Sequence, residues 1–171
     1  MSNALPDAVT VRPLVLTDIP AIRDLHARAF GPGRFVRTAY RIREKAGEIS
    51  PFCRVASLAG RIVAAVKFTP VVVGHKDRAL LLGPLAVDPA FANQGYGRGL
   101  VQRALDEARE AGIRTVLLVG DEPYYRRLGF QRVPYGKITL PGPVDPDRLL
   151  AVELVPGALH EYAGLVAGLS A

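Results

Sequence analysis

The sequence predicts a single α/β domain with a mixed central sheet, antiparallel hairpins first and a parallel pair afterwards, flanked by helices. Three observations carry this prediction. Apolar, β-branched runs divided by tight turns fill residues 52–87. The stretch "AVDPAFANQGYGRGLVQRALDEA" (86–108) then joins a strand end to an amphipathic helix, and "GIRTVLLVG" (112–120), with its continuous β-branched and leucine content, follows it. Neighbouring hairpin strands pair antiparallel, whereas a strand–helix–strand crossover returns the chain parallel to where it started.

Taken in order, "AVTVRPLVL" reads as a first strand. Thr17 and Asp18 are placed to cap a helix that tolerates Pro20 in its first turn. Ile19, Ile22, Leu25 or His26, and Ala29 or Phe30 fall on one face of that helix. "GPGR" breaks it, and Phe35, Ala39, Ile42 and Ala46 predict a second helix ending at Gly47. "FCRVASLAG" and "RIVAAVKFTPVVVG" flank an Ala59-Gly60 turn as a hairpin, and "RALLLGPLAV" continues beyond the "GHKD" turn. In the next helix Leu100, Val101, Ala104, Leu105 and Ala108 form an apolar stripe opposite Arg103, Asp106, Glu107 and Arg109. That pattern packs one face on a sheet and leaves the other in water. "DEPYYRRLGF" predicts a short helix, with Asp121 as its cap, Pro123 in its first turn and Gly129 as its stop. The tail holds at least two further strand candidates between Pro and Gly turns. No linker or repeat divides the chain, so residues 1–171 are read as one domain.

The bulk numbers suit this fold class. With 171 residues, 49% apolar and 22% charged, the chain can bury a sizeable core. Its net charge of +6 favours anionic partners on approach, although the basic residues are scattered and serve solubility equally well. The single cysteine, Cys53, lies in an apolar run and reads as a buried structural thiol. Alone it can build neither a disulfide framework nor a cysteine-based metal site, and no metal is expected. The N-terminal "MSNALPDAVT" lacks a secretion-signal pattern, and no apolar run approaches membrane-spanning length, so the expected location is cytoplasmic.

Chemistry concentrates at Gly95, Gly97 and Gly99. Helix N-termini leave amides unpaired and carry partial positive charge. Where glycines remove side-chain bulk, several such amides can converge on a phosphate, and Arg98 adds a cation there. The same glycines would also allow a tight turn to pack against the sheet. A nucleoside-triphosphate loop would need a Lys after its last glycine, and none follows. The dinucleotide fingerprint fails because Leu100 occupies the place of its third glycine.

What remains, Gln94-x-x-Gly97-x-Gly99 reached from a strand ending "LAVDP", resembles the pyrophosphate-binding motif of the GNAT superfamily of acyl-CoA-dependent N-acetyltransferases. "YYRRLGF" is similar to the family's second signature, and the order of elements over about residues 9–133 agrees with that fold. The resemblance implies a GNAT-like fold with acetyl-CoA as acyl donor and a primary amine, on a small molecule or peptide, as acceptor. The cofactor's diphosphate would meet the backbone of Gln94, Gly95, Tyr96, Gly97, Arg98 and Gly99. Leu85, Ala86 and Val87 would offer main-chain groups to the pantetheine arm in a gap between splayed strands. Gly83 and Pro84 supply a physical reason for that splay, because Pro donates no ladder hydrogen bond and Gly favours a bulge. Leu85 and Val87 are also ordinary core residues by composition.

Tyr125 corresponds to the tyrosine that many family members place near the cofactor sulfur. A phenol of pKa about 10 is neutral at pH 7 and can donate a proton to a departing thiolate. Tyr124 reads as a packing aromatic. An alkylammonium acceptor of pKa about 10.4 must lose a proton before it attacks. The strand "ALLLGPLAV" offers no acid for this, and His26, His75, Asp77 and Glu122 carry no motif. Two other functions fit the same resemblance: a non-catalytic acyl-CoA-binding or sensing domain, and an acetyltransferase acting on aminoacyl-tRNA. The second lacks the interleaved aromatic and basic residues of RNA-stacking surfaces. A homodimer is implied by family habit alone. Residues 30–48 and the extension 134–171, where acceptor specificity would reside, show no recognisable pocket chemistry.

Overall fold

The computed structural model describes residues 3–6, 8–30 and 49–169. The helix expected over Phe35–Ala46 lies outside them. β1 (Val9–Pro13) leads through a 3₁₀ turn into α1 (Ile19–Phe30). β2 (Arg54–Leu58), β3 (Arg61–Val73) and β4 (Lys76–Val87) form the antiparallel hairpins. α2 (Tyr96–Glu110) crosses to β5 (Thr115–Val119), and the short α3 (Glu122–Arg126) follows. β6 (Gln131–Arg132), β7 (Ile138–Thr139), β8 (Leu149–Glu153) and β9 (Gly164–Gly168) complete the chain.

The sheet runs β1-β2-β3-β4-β5-β8-β6, with β9 beside the second half of β3 and β7 parallel to β9. Only β4 and β5 pair parallel in its middle, as the crossover requires. Both hairpin turns use left-handed backbone, at Ala59 and Gly60 (φ 50° and 79°) and at Gly74 and His75 (φ 52° and 75°). Such turns match the twist of the strands they join. The Pro- and Gly-rich tail thus joins the sheet at two places: β8 enters between β5 and β6, and Gly168, Ala167 and Val166 of β9 pair with Val71, Val72 and Val73.

Three apolar clusters hold these layers. α2 lays Leu100, Val101, Ala104, Leu105 and Ala108 on the sheet against Phe68, Leu80, Leu82, Val116 and Phe130. Burying each large apolar side chain contributes about 1.5–3 kcal/mol before the entropy of ordering is subtracted. α1 covers the opposite face with Ile19, Ile22 and Leu25, packed with Cys53, Val55, Ala65 and Ala86. Leu25, not His26, is the core residue of that turn. Tyr162 and Val166 of the tail close a third cluster over Val71, Leu81 and Leu117.

Two helix caps differ from expectation. Asp18 ends the 3₁₀ turn ahead of α1, and its carboxylate accepts the Val15 amide at 2.9 Å and a two-pronged Arg12 contact at 2.8 Å. Asp121 stands at the N-cap of α3 without a side-chain capping bond and faces Arg148 at 3.5 Å instead. The cysteine is a buried thiol, within 3.5 Å of the Phe68 amide. Among the described residues no helix is long and apolar enough to cross a membrane.

Candidate active-site cleft

The cleft begins where β4 and β5 separate. Their ladder joins Ala79 to Thr115, Leu80 to Val116 and Leu81 to Leu117, and then stops. On the other side of β4, the register against β3 steps from Phe68↔Leu82 to Val66↔Leu85, so β4 carries an extra residue. Gly83 and Pro84, joined by a cis peptide, occupy that bulge, with Gly83 at φ 134°. A bulge bends its strand and increases local twist. β4 therefore remains tied to β3 through Leu85, Ala86 and Val87 but has left β5. The side chains alternate as in any strand. Leu85 and Val87 face the α2 side, whereas Ala86 is buried on the α1 side and can contribute only its backbone.

The loop from β4 to α2 is held at both ends. Asp88 accepts the Ala90 amide at 3.0 Å, Arg28 at 3.2 Å and Arg61 at 2.9 Å, and its own amide donates to Val63 at 2.8 Å. The Ala90 hydrogen bond leads the causes, ahead of the two guanidiniums, that hold this buried carboxyl below the usual carboxylate range. Tyr96 is buried at the start of α2, its ring edge-on to Phe91 at 5.7 Å.

The three glycines serve two different needs. Gly95 is the N-cap of α2 at φ 86°, and a Cβ there would meet nothing within 4 Å, so conformation alone requires it. A Cβ on Gly97 would lie 2.7 Å from the Tyr124 hydroxyl and 3.1 Å from Val87 Cγ2. One on Gly99 would lie 2.7 Å from Leu5, in the N-terminal segment that crosses α2. Two of the glycines therefore permit close packing, as the plainer reading of the motif allowed. The first amide of α2 to find a main-chain acceptor near the helix start is Gly99, which donates to the Gly95 carbonyl at 3.0 Å. The amides of Tyr96, Gly97 and Arg98 precede it, where an α-helix has no acceptor to offer.

These amides open on a cavity of about 410 Å³, lined by Val87, Phe91, Asn93, Gly95, Tyr96, Gly97, Arg98, Tyr124 and Arg127 among others. Arg98 is part of that lining, and its Nη1 is buried without a hydrogen-bond partner. A guanidinium nitrogen so placed lacks an acceptor that an anion would supply. Tyr124, 37% exposed, is part of the wall, and burial raises its pKa against the opposing pull of Arg98. Its hydroxyl therefore remains a neutral donor at pH 7. Tyr125 does not line this cavity. Its ring meets Tyr124 at 4.9 Å and Phe130 at 5.7 Å, and it lies over Gly120 just past the end of β5, 2.9 Å from where a Cβ would sit.

Of the residues singled out in the sequence, Val87, Gly95, Tyr96, Gly97 and Arg98 share the cavity wall, whereas Tyr125 packs behind Tyr124 against Gly120 and Phe130. Sequence reasoning missed Tyr124 as a wall residue, Asp88 as the loop's anchor and Arg127 at the rim. Only Asp88 left a trace in sequence, as an acid ending an apolar strand before Pro89. Of the side chains considered for removing an amine proton, Asp77 stands at the far end of β4 and His75 just before it, roughly 30–40 Å of strand from Val87. Glu122 is held below the usual carboxylate range by Arg126 first and then Arg132. Among the described residues no three His, Cys, Asp or Glu side chains gather as a metal site.

A parted strand pair with an amide-lined helix start at its mouth defines an acyl-CoA N-acyltransferase type of fold. Residues 19–130 match the Acetyltransferase (GNAT) family, and the chain belongs to it. It is similar to N-acetyltransferase YhbS of Escherichia coli strain K12, with 29% identity over 157 residues, 91% of this chain and 93% of that one. The crystal structure of Escherichia coli YhbS in complex with CoA superposes with a TM-score of 0.81 at 28% identity, covering 95% of this chain and 90% of that chain. A GNAT family acetyltransferase from Brucella melitensis, solved with acetyl-CoA, gives 0.62 at 28% identity over 88% of this chain and 97% of that chain.

Proposed function

We propose that this acetyltransferase moves an acetyl group from acetyl-CoA to a primary amine of a small molecule or peptide by direct attack on the thioester. One observation carries the proposal: the amides opening α2 and the Arg98 side chain border the same cavity, beside a strand released from its neighbour. Such a site suits an anionic head followed by an extended, amide-bearing arm. Acetyl-CoA has that form, and the relatives from Escherichia coli and Brucella melitensis were solved with CoA and acetyl-CoA.

In this reading the backbone of Gly95, Tyr96, Gly97 and Arg98 holds the diphosphate, with Gln94 before them in the loop and Gly99 closing the first helical turn onto Gly95. Leu85, Ala86 and Val87 lend backbone groups to the arm, which takes the place of β5 beside β4. Acetyl-CoA supplies the activated acyl group. Tyr125, at the end of β5, donates a proton to the leaving thiolate. A positioned acid of this kind is worth about 10²–10⁴ in rate.

Incubation with acetyl-CoA and a panel of amines, followed by colorimetric detection of liberated CoA thiol, tests the proposal. Thiol release that depends on a particular amine supports it. Tight acetyl-CoA binding without release for any amine would favour the non-catalytic binding domain. The described cleft wall keeps that reading in view, since β4 brings no carboxylate to it.

A further inference from the structure

The basic side chains around α3 are mostly committed. Arg126 and Arg132 hold Glu122 at 3.1 and 3.0 Å, Arg132 also approaches Asp147 at 3.6 Å, and Arg148 faces Asp121. Arg127 stands among them with no carboxylate partner among the described residues. It nevertheless forms part of the wall of the cavity onto which the amides of α2 open. Its backbone is pinned, because its carbonyl accepts the Asn3 side-chain amide at 3.1 Å and the Leu128 and Gly129 amides close the turn around it.

Two uncommitted guanidiniums thus border one cleft from different elements. Arg98 lies in the first turn of α2 with the unpaired amides, and Arg127 lies just past α3 on another part of the wall. Coenzyme A also carries anionic groups at two separate places, a diphosphate and a 3′-phosphate on its ribose. The 3′-phosphate is a monoester that bears nearly two negative charges at neutral pH. A guanidinium fork matches phosphate oxygens in pairs, which an ammonium does not.

We propose that Arg127 binds the 3′-phosphate of coenzyme A and makes this site selective for CoA over 3′-dephospho-CoA. The assignment rests on the reading that CoA occupies the cleft. Arg127 is exposed, so the preference is about tenfold at low ionic strength and shrinks as salt is added.

Isothermal titration of CoA and 3′-dephospho-CoA into the wild-type chain, Arg127→Gln and Arg98→Gln tests it. The wild type should prefer CoA about tenfold. Arg127→Gln should bind the two ligands almost equally, by losing affinity for CoA while binding 3′-dephospho-CoA as the wild type does. Arg98→Gln should weaken both and keep the preference, and Arg127→Lys should restore part of it. Equal wild-type affinities, or an Arg127→Gln variant that weakens both ligands alike, would overturn the assignment. If neither ligand binds the wild type, the cleft reading fails and this assignment goes with it.

Discussion

Replacing Arg98 with methionine should move stability and affinity in opposite directions. In the ligand-free protein Arg98 Nη1 is buried with no acceptor, and a buried donor left unpaired costs about 1–3 kcal/mol. Methionine fills a similar path without that donor, so the variant should unfold later than the wild type. For a chain of this length each kcal/mol is worth about 2–4 °C in Tm. Hydrogen bonds to charged groups contribute about 1.5–3 kcal/mol, so losing the diphosphate contact should weaken CoA binding roughly 10- to 150-fold. Thermal melts followed by circular dichroism, together with calorimetric titration of CoA, measure both quantities on one preparation. A variant that melts earlier and binds CoA unchanged would refute the reasoning, because Arg98 would then be a structural residue.

Other consequences are as specific. Tyr125→Phe should lower kcat about 10²–10⁴-fold with CoA affinity unchanged, since only a proton donor is removed; steady-state kinetics and calorimetry separate the two. Gly95→Ala places a Cβ on left-handed backbone in open space and should cost about 1–2 kcal/mol, read by urea unfolding, with looser CoA binding as the amides shift. Asp88 has a folded pKa below its unfolded value, so its stabilisation is complete above the unfolded pKa and is lost as pH falls through the folded one. Asp88→Asn should therefore melt earlier than the wild type at neutral pH, and the gap should narrow on acidification below about pH 4. A gap that stays constant with pH would contradict that linkage.

The parts of this fold that were legible in the sequence are those decided locally. The Ala59-Gly60 turn between alternating apolar runs needed no distant partner, and neither did the apolar stripe of α2. The Gly83-Pro84 bulge was readable because proline and glycine act on their own backbone. Pairings across long separations were not readable. β8 lies between β5 and β6, and β9 pairs with β3, across separations that no local pattern encodes. The site divides in the same way. The glycine loop was visible as a pattern, but the reason for Gly99 is Leu5, which is remote in sequence. Asp88 is anchored by Arg28 and Arg61, two positions that no spacing rule connects to it. Tyr124 and Tyr125 differ by about 100° around a helix, and neighbours alone decide which one borders the cavity.

The most direct measurement is a crystal structure of this chain with acetyl-CoA. The account predicts the diphosphate against the amides of Gly95 to Arg98 with the Arg98 guanidinium on one of its oxygens. It also predicts the pantetheine arm alongside Leu85 to Val87, and the thioester within reach of the Tyr125 hydroxyl. A ligand seated away from the mouth of β4 and β5, or a diphosphate that touches none of those amides, would contradict it.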